Sequence, residues 1–253
     1  MTTTADRDAF RAALRARAAE PPGPGTAGGA APPAWAWHLV TVLHELLPTD
    51  VADDWVDRLH TVLTEHRVPR GLNAVHRWQA DTVLPLLART SHARDNAAVT
   101  VLSDLHTSAG RGAPAGRDAW RAALAPVLLR LHDAAYDRTS AYTQSHTGAR
   151  DFALANGYSA ADADAYGHEY AHLSNEVNAR AFAQSHALAL GEALSVAYAT
   201  DGDRAYAQTW PGAQARAVVR ACAGSAPTDG AAAAAAAAVG LADGLLTALR
   251  PRG

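Results

Sequence analysis

Apolar residues recur along this chain at intervals of three and four, with almost no alternating runs. That is the period of an amphipathic helix, and it repeats from one end to the other. Residues 5–20 predict a short helix, with Phe10 and Leu14 on one face and Thr4 as a possible cap. Trp35, Leu39, Val42, Leu43 and Leu46 keep helical spacing up to Pro48. Thr49 or Asp50 can cap the next helix, whose buried stripe would be Val51, Trp55, Val56, Leu59 and Leu63. Pro69 suits a first helical position. Leu72, Val75, Val83, Leu84 and Leu87 follow, with Pro85 forcing a kink or a break.

Val101, Leu102 and Leu105 mark another helix within 91–107, and a Gly/Pro-rich loop spans 108–116. Residues 118–155 predict one long helix, or two joined at Pro126. Asn156-Gly157 is a stop signal and Ser159 a start signal. A further helical stretch runs to Thr200, where Asp201-Gly202-Asp203 breaks it. Residues 203–222 form a helix interrupted at Pro211, and 231–249 a last one. β-branched residues are sparse and no strand pattern of useful length occurs. The expectation is an all-α bundle of about eight helices with no sheet.

Punctuation sets the domain map. Residues 21–33 carry Pro21, Pro22, Pro24, Pro32 and Pro33 among glycines, the composition of a linker. The N-terminal helix of residues 1–20 is then tethered to a single helical domain over 34–250, and could dock a partner protein. Echoes at a 30-residue offset, such as Ala149-Arg150-Asp151-Phe152 against Ala179-Arg180-Ala181-Phe182, fit two similar helix faces in one hairpin.

Composition narrows the chemistry. About a quarter of the residues are Ala, and all 22 basic residues are Arg, so Schiff-base catalysis and phosphate loops that need Lys are excluded. A single cysteine, Cys222, excludes an intramolecular disulfide framework and Cys-rich zinc sites. No uninterrupted apolar run approaches the ~18–20 residues of a membrane span, and the N-terminus lacks the apolar segment of a signal peptide. A cytoplasmic location with no membrane and no nucleic-acid partner is expected. The net charge is −3 but uneven: 58–130 hold ten Arg against five acids, or +5, and 151–200 hold one Arg against six acids, or −5.

The sharpest local chemistry is His168-Glu169-Tyr170-Ala171-His172. Two His four apart on a helix stand one above the other and can share a metal ion, with the intervening Glu as base. This pattern, together with Gly191-Glu192-Ala193-Leu194-Ser195, resembles the gluzincin metallopeptidases. The resemblance implies zinc held by His168, His172 and Glu192, with Glu169 as the catalytic base of a hydrolase acting on a peptide or small molecule. It requires the chain to fold back between Leu173 and Gly191, for example at Ser174-Asn175. In one straight helix His172 and Glu192 would lie ~30 Å apart.

Other readings stand beside it. Asp164 makes an i, i+4 pair with His168, and Glu176 and His186 lie in the same region, a donor set also used for iron in helical oxygenases. The alternatives to the hydrolase are a small-molecule biosynthetic enzyme, of di-iron oxygenase or cofactor-free cyclase type, and a non-catalytic partner-binding bundle. The remaining histidines are scattered through helices as core or surface residues, and if 160–200 is one uninterrupted helix, a residue of another helix such as His132 or His146 would complete any metal site. Trp35, Trp37, Trp55, Trp78 and Trp120 are expected core anchors.

Overall fold

The computed structural model describes residues 4–16, 32–65, 71–90, 96–226 and 228–251. Among these the chain is helical throughout, with no strand. The order is α1 (Thr4–Arg15), α2 (Ala34–Leu46), α3 (Thr49–Glu65), α4 (Asn73–Trp78), a π-helical turn (Gln79–Val83), α5 (Leu84–Arg89), α6 (Asn96–Ala109) and α7 (Arg117–Ala135). Then come α8 (Arg138–Ala155), α9 (Ala160–Ala199), α10 (Asp203–Ala207), α11 (Pro211–Gly224) and α12 (Gly230–Leu249). The all-α bundle is as the periodicity predicts. The described residues hold twelve α-helices rather than about eight, because α4, α5 and α10 are short pieces of five or six residues and 118–155 forms two helices.

Proline explains part of the segmentation. Pro85 sits in the first turn of α5, where its missing N–H costs nothing, and the π turn just before it absorbs the register change its ring demands. Pro126, by contrast, does not divide α7. It lies on the exposed face, where water can satisfy the carbonyl it leaves free. The division falls instead at Tyr136 and Asp137, where Tyr136 is extended and the Asp137 carboxylate accepts from the Ser140 N–H at 3.0 Å. Gly157, at φ +85°, and Ser159, whose hydroxyl accepts from Asp162 N–H, turn the chain between α8 and α9.

The five expected tryptophan anchors are all buried. Trp35 donates to Asp203 at 3.0 Å, and the other Asp203 oxygen accepts from Gly71 N–H, tying α2 to the start of α10. α12 packs on α2, α3, α4 and α11. Its twenty residues are long and apolar enough to cross a membrane by length and composition, because alanine counts as apolar, which corrects the expectation that no run approaches a span. In the bundle its Leu241, Leu245, Leu246 and Leu249 are core residues, and Arg77 caps its C-terminal carbonyls at Ala248 and Arg250.

The N-terminal helix is docked on its own chain. Phe10 and Leu14 are buried, Phe10 edge-on to Trp37, while Arg11 forms a two-pronged pair with Asp57 and Arg15 pairs with Asp53. Its apolar face is therefore occupied by α2 and α3. Most of the expected linker, apart from Pro32 and Pro33, lies outside the described residues, as does Pro69.

α9 sets the geometry of everything that follows. It runs for 40 residues, or ~60 Å, without a break. α7 and α8 both run antiparallel to it: Leu128 lies against Gly191, His132 against Phe182 and His186, and His146 against Gly167. Small residues fall at every fourth position on its buried side, at Ala163, Gly167 and Ala171 and again at Ala179, Ala183, Ala187 and Gly191. A four-residue step overshoots the 3.6-residue turn by 40°, so this buried line winds around α9. The winding line meets α8 on the first half and α7 on the second.

Candidate metal centre

Where Gly167 brings α8 and α9 into close contact, three potential metal ligands converge. His146 comes from α8, and Asp164 and His168 from successive turns of α9. One ligand atom from each lies within 4.8 Å of the others. His146 Nε2 is 3.3 Å from Asp164 Oδ1, and His168 Nε2 is 3.5 Å from Asp164 Oδ2. The two imidazole centroids are 4.3 Å apart.

These spacings have a simple meaning. Two donor atoms each ~2.0–2.1 Å from a tetrahedral ion lie ~3.3–3.4 Å from each other. The carboxylate stands at that separation from both imidazoles. His146 Nε2 is shielded from solvent and has no hydrogen-bond partner, despite its nearness to Asp164. His146 Nε2 thus stands beside the Asp164 carboxylate without a hydrogen bond to it.

Neighbouring residues orient the set. Tyr142, one turn before His146 on α8, places its hydroxyl 2.7 Å from His168 Nδ1. When Nδ1 carries the proton and the phenolic oxygen accepts it, Nε2 is left as the free lone pair that a metal requires. Gly167 lets the helices approach: a Cβ there would lie 3.0 Å from both the ring and the backbone oxygen of His146. Arg150 acts in the opposite sense, with its Nε 3.7 Å from Asp164 Oδ1, competing for the same carboxylate.

The residues expected from the sequence separate. His168 belongs to the cluster, whereas His172 is exposed one turn further along and stands outside it. Glu169 is exposed beside His168. Glu192 is not brought to them: with no break at Ser174-Asn175, it lies ~30 Å along α9 from His172. It pairs instead with Arg117 and Arg121 of α7. His168 thus pairs backward with Asp164, and the third donor, His146, crosses from another helix. The i, i+4 spacing exposes Asp164 in the sequence, but no local signal ties His146 to His168.

Other histidines serve the core. His76 and His106 are buried with their Nδ1 atoms 2.9 Å apart, one donating and the other accepting, against Trp120 and Tyr198. Burial lowers His76 to about 4 and pushes His106 well below the usual imidazole range. His132 is lowered to about 4 by burial and by nearby His186, and its Nε2 has no partner. Glu176 lines a groove of about 820 Å³ with Arg130, Arg138 and Arg180, away from the three-ligand cluster.

Comparison with known proteins finds no matching family model, no matching curated protein and no matching solved structure.

Proposed function

We propose that the α8–α9 hairpin binds one divalent transition-metal ion through His146, Asp164 and His168, and that the protein is a metal-dependent enzyme of hydrolytic type. The observation that supports this is the placing of the Asp164 oxygens 3.3 Å and 3.5 Å from the two imidazole Nε2 atoms, with His146 Nε2 left without a hydrogen-bond partner. Two imidazoles and one carboxylate are a donor set of catalytic zinc sites, with the fourth position left for water. The same set suits non-haem iron, which is the alternative ion.

Bound there, the ion would supply a water acidified to near neutrality. The chain's own part is threefold. Asp164 contributes the negative charge that balances the ion. Tyr142 holds His168 in the tautomer that presents Nε2. Glu169, exposed and adjacent to His168, is the carboxylate proposed to accept the proton.

The test is titration of the purified chain with Zn²⁺ and with Co²⁺, whose visible spectrum reports tetrahedral ligation. One ion per chain is expected, lost in His146→Ala, Asp164→Ala and His168→Ala and kept in His172→Ala and Glu192→Ala. Glu169→Gln should keep the ion and lose ester or amide hydrolysis. Equal loss of metal in the Glu192 variant, or no stoichiometric binding, would overturn the site. Binding without hydrolysis would remove the catalytic part and leave the metal site.

A further inference from the structure

On a different face of the same helix the pattern reverses: large apolar side chains point into solvent. Tyr166, Tyr170, Leu173 and Val177 are 37%, 50%, 62% and 66% exposed. They are spaced four, three and four residues apart, so they line one side of α9 over ~16 Å. That spacing is the seam of a coiled coil. Tyr158, 53% exposed at the hairpin turn, extends the line through ring contact with Tyr166, which in turn stacks on Tyr170. A continuous exposed stripe of this kind marks an interaction surface.

Charge identifies what fits it. Residues 160–177 hold Asp162, Asp164, Glu169 and Glu176 and neither Arg nor Lys, although Glu176 also borders the groove lined by Arg130, Arg138 and Arg180. Glu169 and Glu176 each immediately precede a seam residue and are exposed, so they occupy the flanking positions that choose a coiled-coil partner. A second copy of this stripe, laid antiparallel, would set these glutamates against their own kind. A helix with apolar seam residues and Arg or Lys beside them would pair with them. The fold already contains one such docking: α1 presents Phe10 and Leu14 inward and pairs Arg11 and Arg15 with Asp57 and Asp53 of α3.

We infer that the Tyr166–Val177 face of α9 is a docking surface for a basic amphipathic helix of a partner protein. The helix lies along the seam, buries its apolar residues on Tyr170 and Leu173, and pairs its cations with Glu169 and Glu176. The stripe lies on a different side of α9 from Asp164 and His168, so docking does not require the ion, while Glu169 is shared with the proposed catalytic role.

The test uses two synthetic three-heptad peptides with Leu at the seam positions, one flanked by Arg and the other by Glu. Fluorescence anisotropy against the full chain should show one-to-one binding of the Arg peptide, at least about tenfold tighter than the Glu peptide and weakening with salt. Tyr170→Glu and Leu173→Glu, both at exposed positions that leave the helical circular dichroism unchanged, should each weaken it by about tenfold or more. The double variant Glu169→Arg with Glu176→Arg should reverse the peptide preference. His146→Ala should bind the peptide as the wild type does, which separates this surface from the metal proposal. Equal binding of both peptides, or no binding, overturns the inference. So does self-association by sedimentation that Leu173→Glu abolishes, since a second copy would then be the occupant.

Discussion

Gly167 of α9 faces His146 of α8 at a distance that admits no side chain: a Cβ would lie 3.0 Å from both the imidazole and the backbone oxygen. The helix separation here is thus fixed by one hydrogen atom, and it holds His146 beside Asp164. Gly167→Ala must push the helices apart by a few tenths of an ångström. The expected result is at least a tenfold loss of Zn²⁺ affinity by calorimetric titration, with a small change in melting temperature, because added helix propensity of about 1 kcal/mol offsets the strain.

Tyr142→Phe removes only the oxygen 2.7 Å from His168 Nδ1. Loss of such an orienting partner typically costs 10–100-fold in metal affinity. The same range is expected here, with the ion count at saturation unchanged.

Arg150 predicts a gain. Its guanidinium lies 3.7 Å from Asp164 Oδ1 and repels any cation placed there. Arg150→Ala should tighten metal binding severalfold at low salt, and less at high salt as the charge is screened. Unchanged affinity at low ionic strength would show that Asp164 does not ligate.

Much of the architecture is readable before any coordinates, and the exceptions have local causes. The Asn156-Gly157 stop and Ser159 start are visible because caps and left-handed glycines are written in single residues. The joint between α7 and α8 is written the same way, in Asp137 and Ser140, but Pro126 is the louder signal and misleads. Its effect depends on which face it occupies, and only packing decides that. The site divides likewise. Asp164 and His168 share a helix face, so their pairing follows from spacing. His146 reaches them only because α8 folds back through the Gly157 turn, in a register set by the small residues of α9. Glu192 fails as a ligand for the complementary reason: Ser174 and Asn175 can begin a helix, yet here neither ends one.

Acid should destabilise the fold in a defined window. His76 and His132 are held neutral, with pKa values near 4, against ~6.5 when unfolded. The unfolded chain therefore binds more protons between those values, and stability falls as the pH is lowered from about 6.5 toward 4. Thermal melts across that range should show a steepening decline. His132→Leu removes a buried nitrogen that has no partner. It should be neutral or stabilising by up to about 1 kcal/mol at pH 7, and should flatten the decline below pH 6.

A second close approach tests the core. A Cβ at Gly244 of α12 would overlap the Thr82 hydroxyl in the π turn and lie 2.5 Å from its methyl group. Gly244→Ala should cost about 1–3 kcal/mol in urea unfolding. Adding Thr82→Ala should recover part of that loss, the non-additivity expected of residues in contact.

The unbroken run of α9 makes the molecule sensitive to phase. Its first half carries the proposed metal ligands and the exposed seam, and its second half is embedded against α7, with no hinge between them to absorb a change of register. One residue inserted near Ala181 would turn the outer half by 100° relative to the body, swinging Asp164 and His168 away from His146. Four inserted residues would leave only a 40° error of rotation, but every inserted residue also lengthens α9 by about 1.5 Å while α8 keeps its length, so His146 is left behind along the axis as well. An insertion in this helix should therefore be tolerated only when α8 is lengthened by the same number of residues, which keeps both rotation and register.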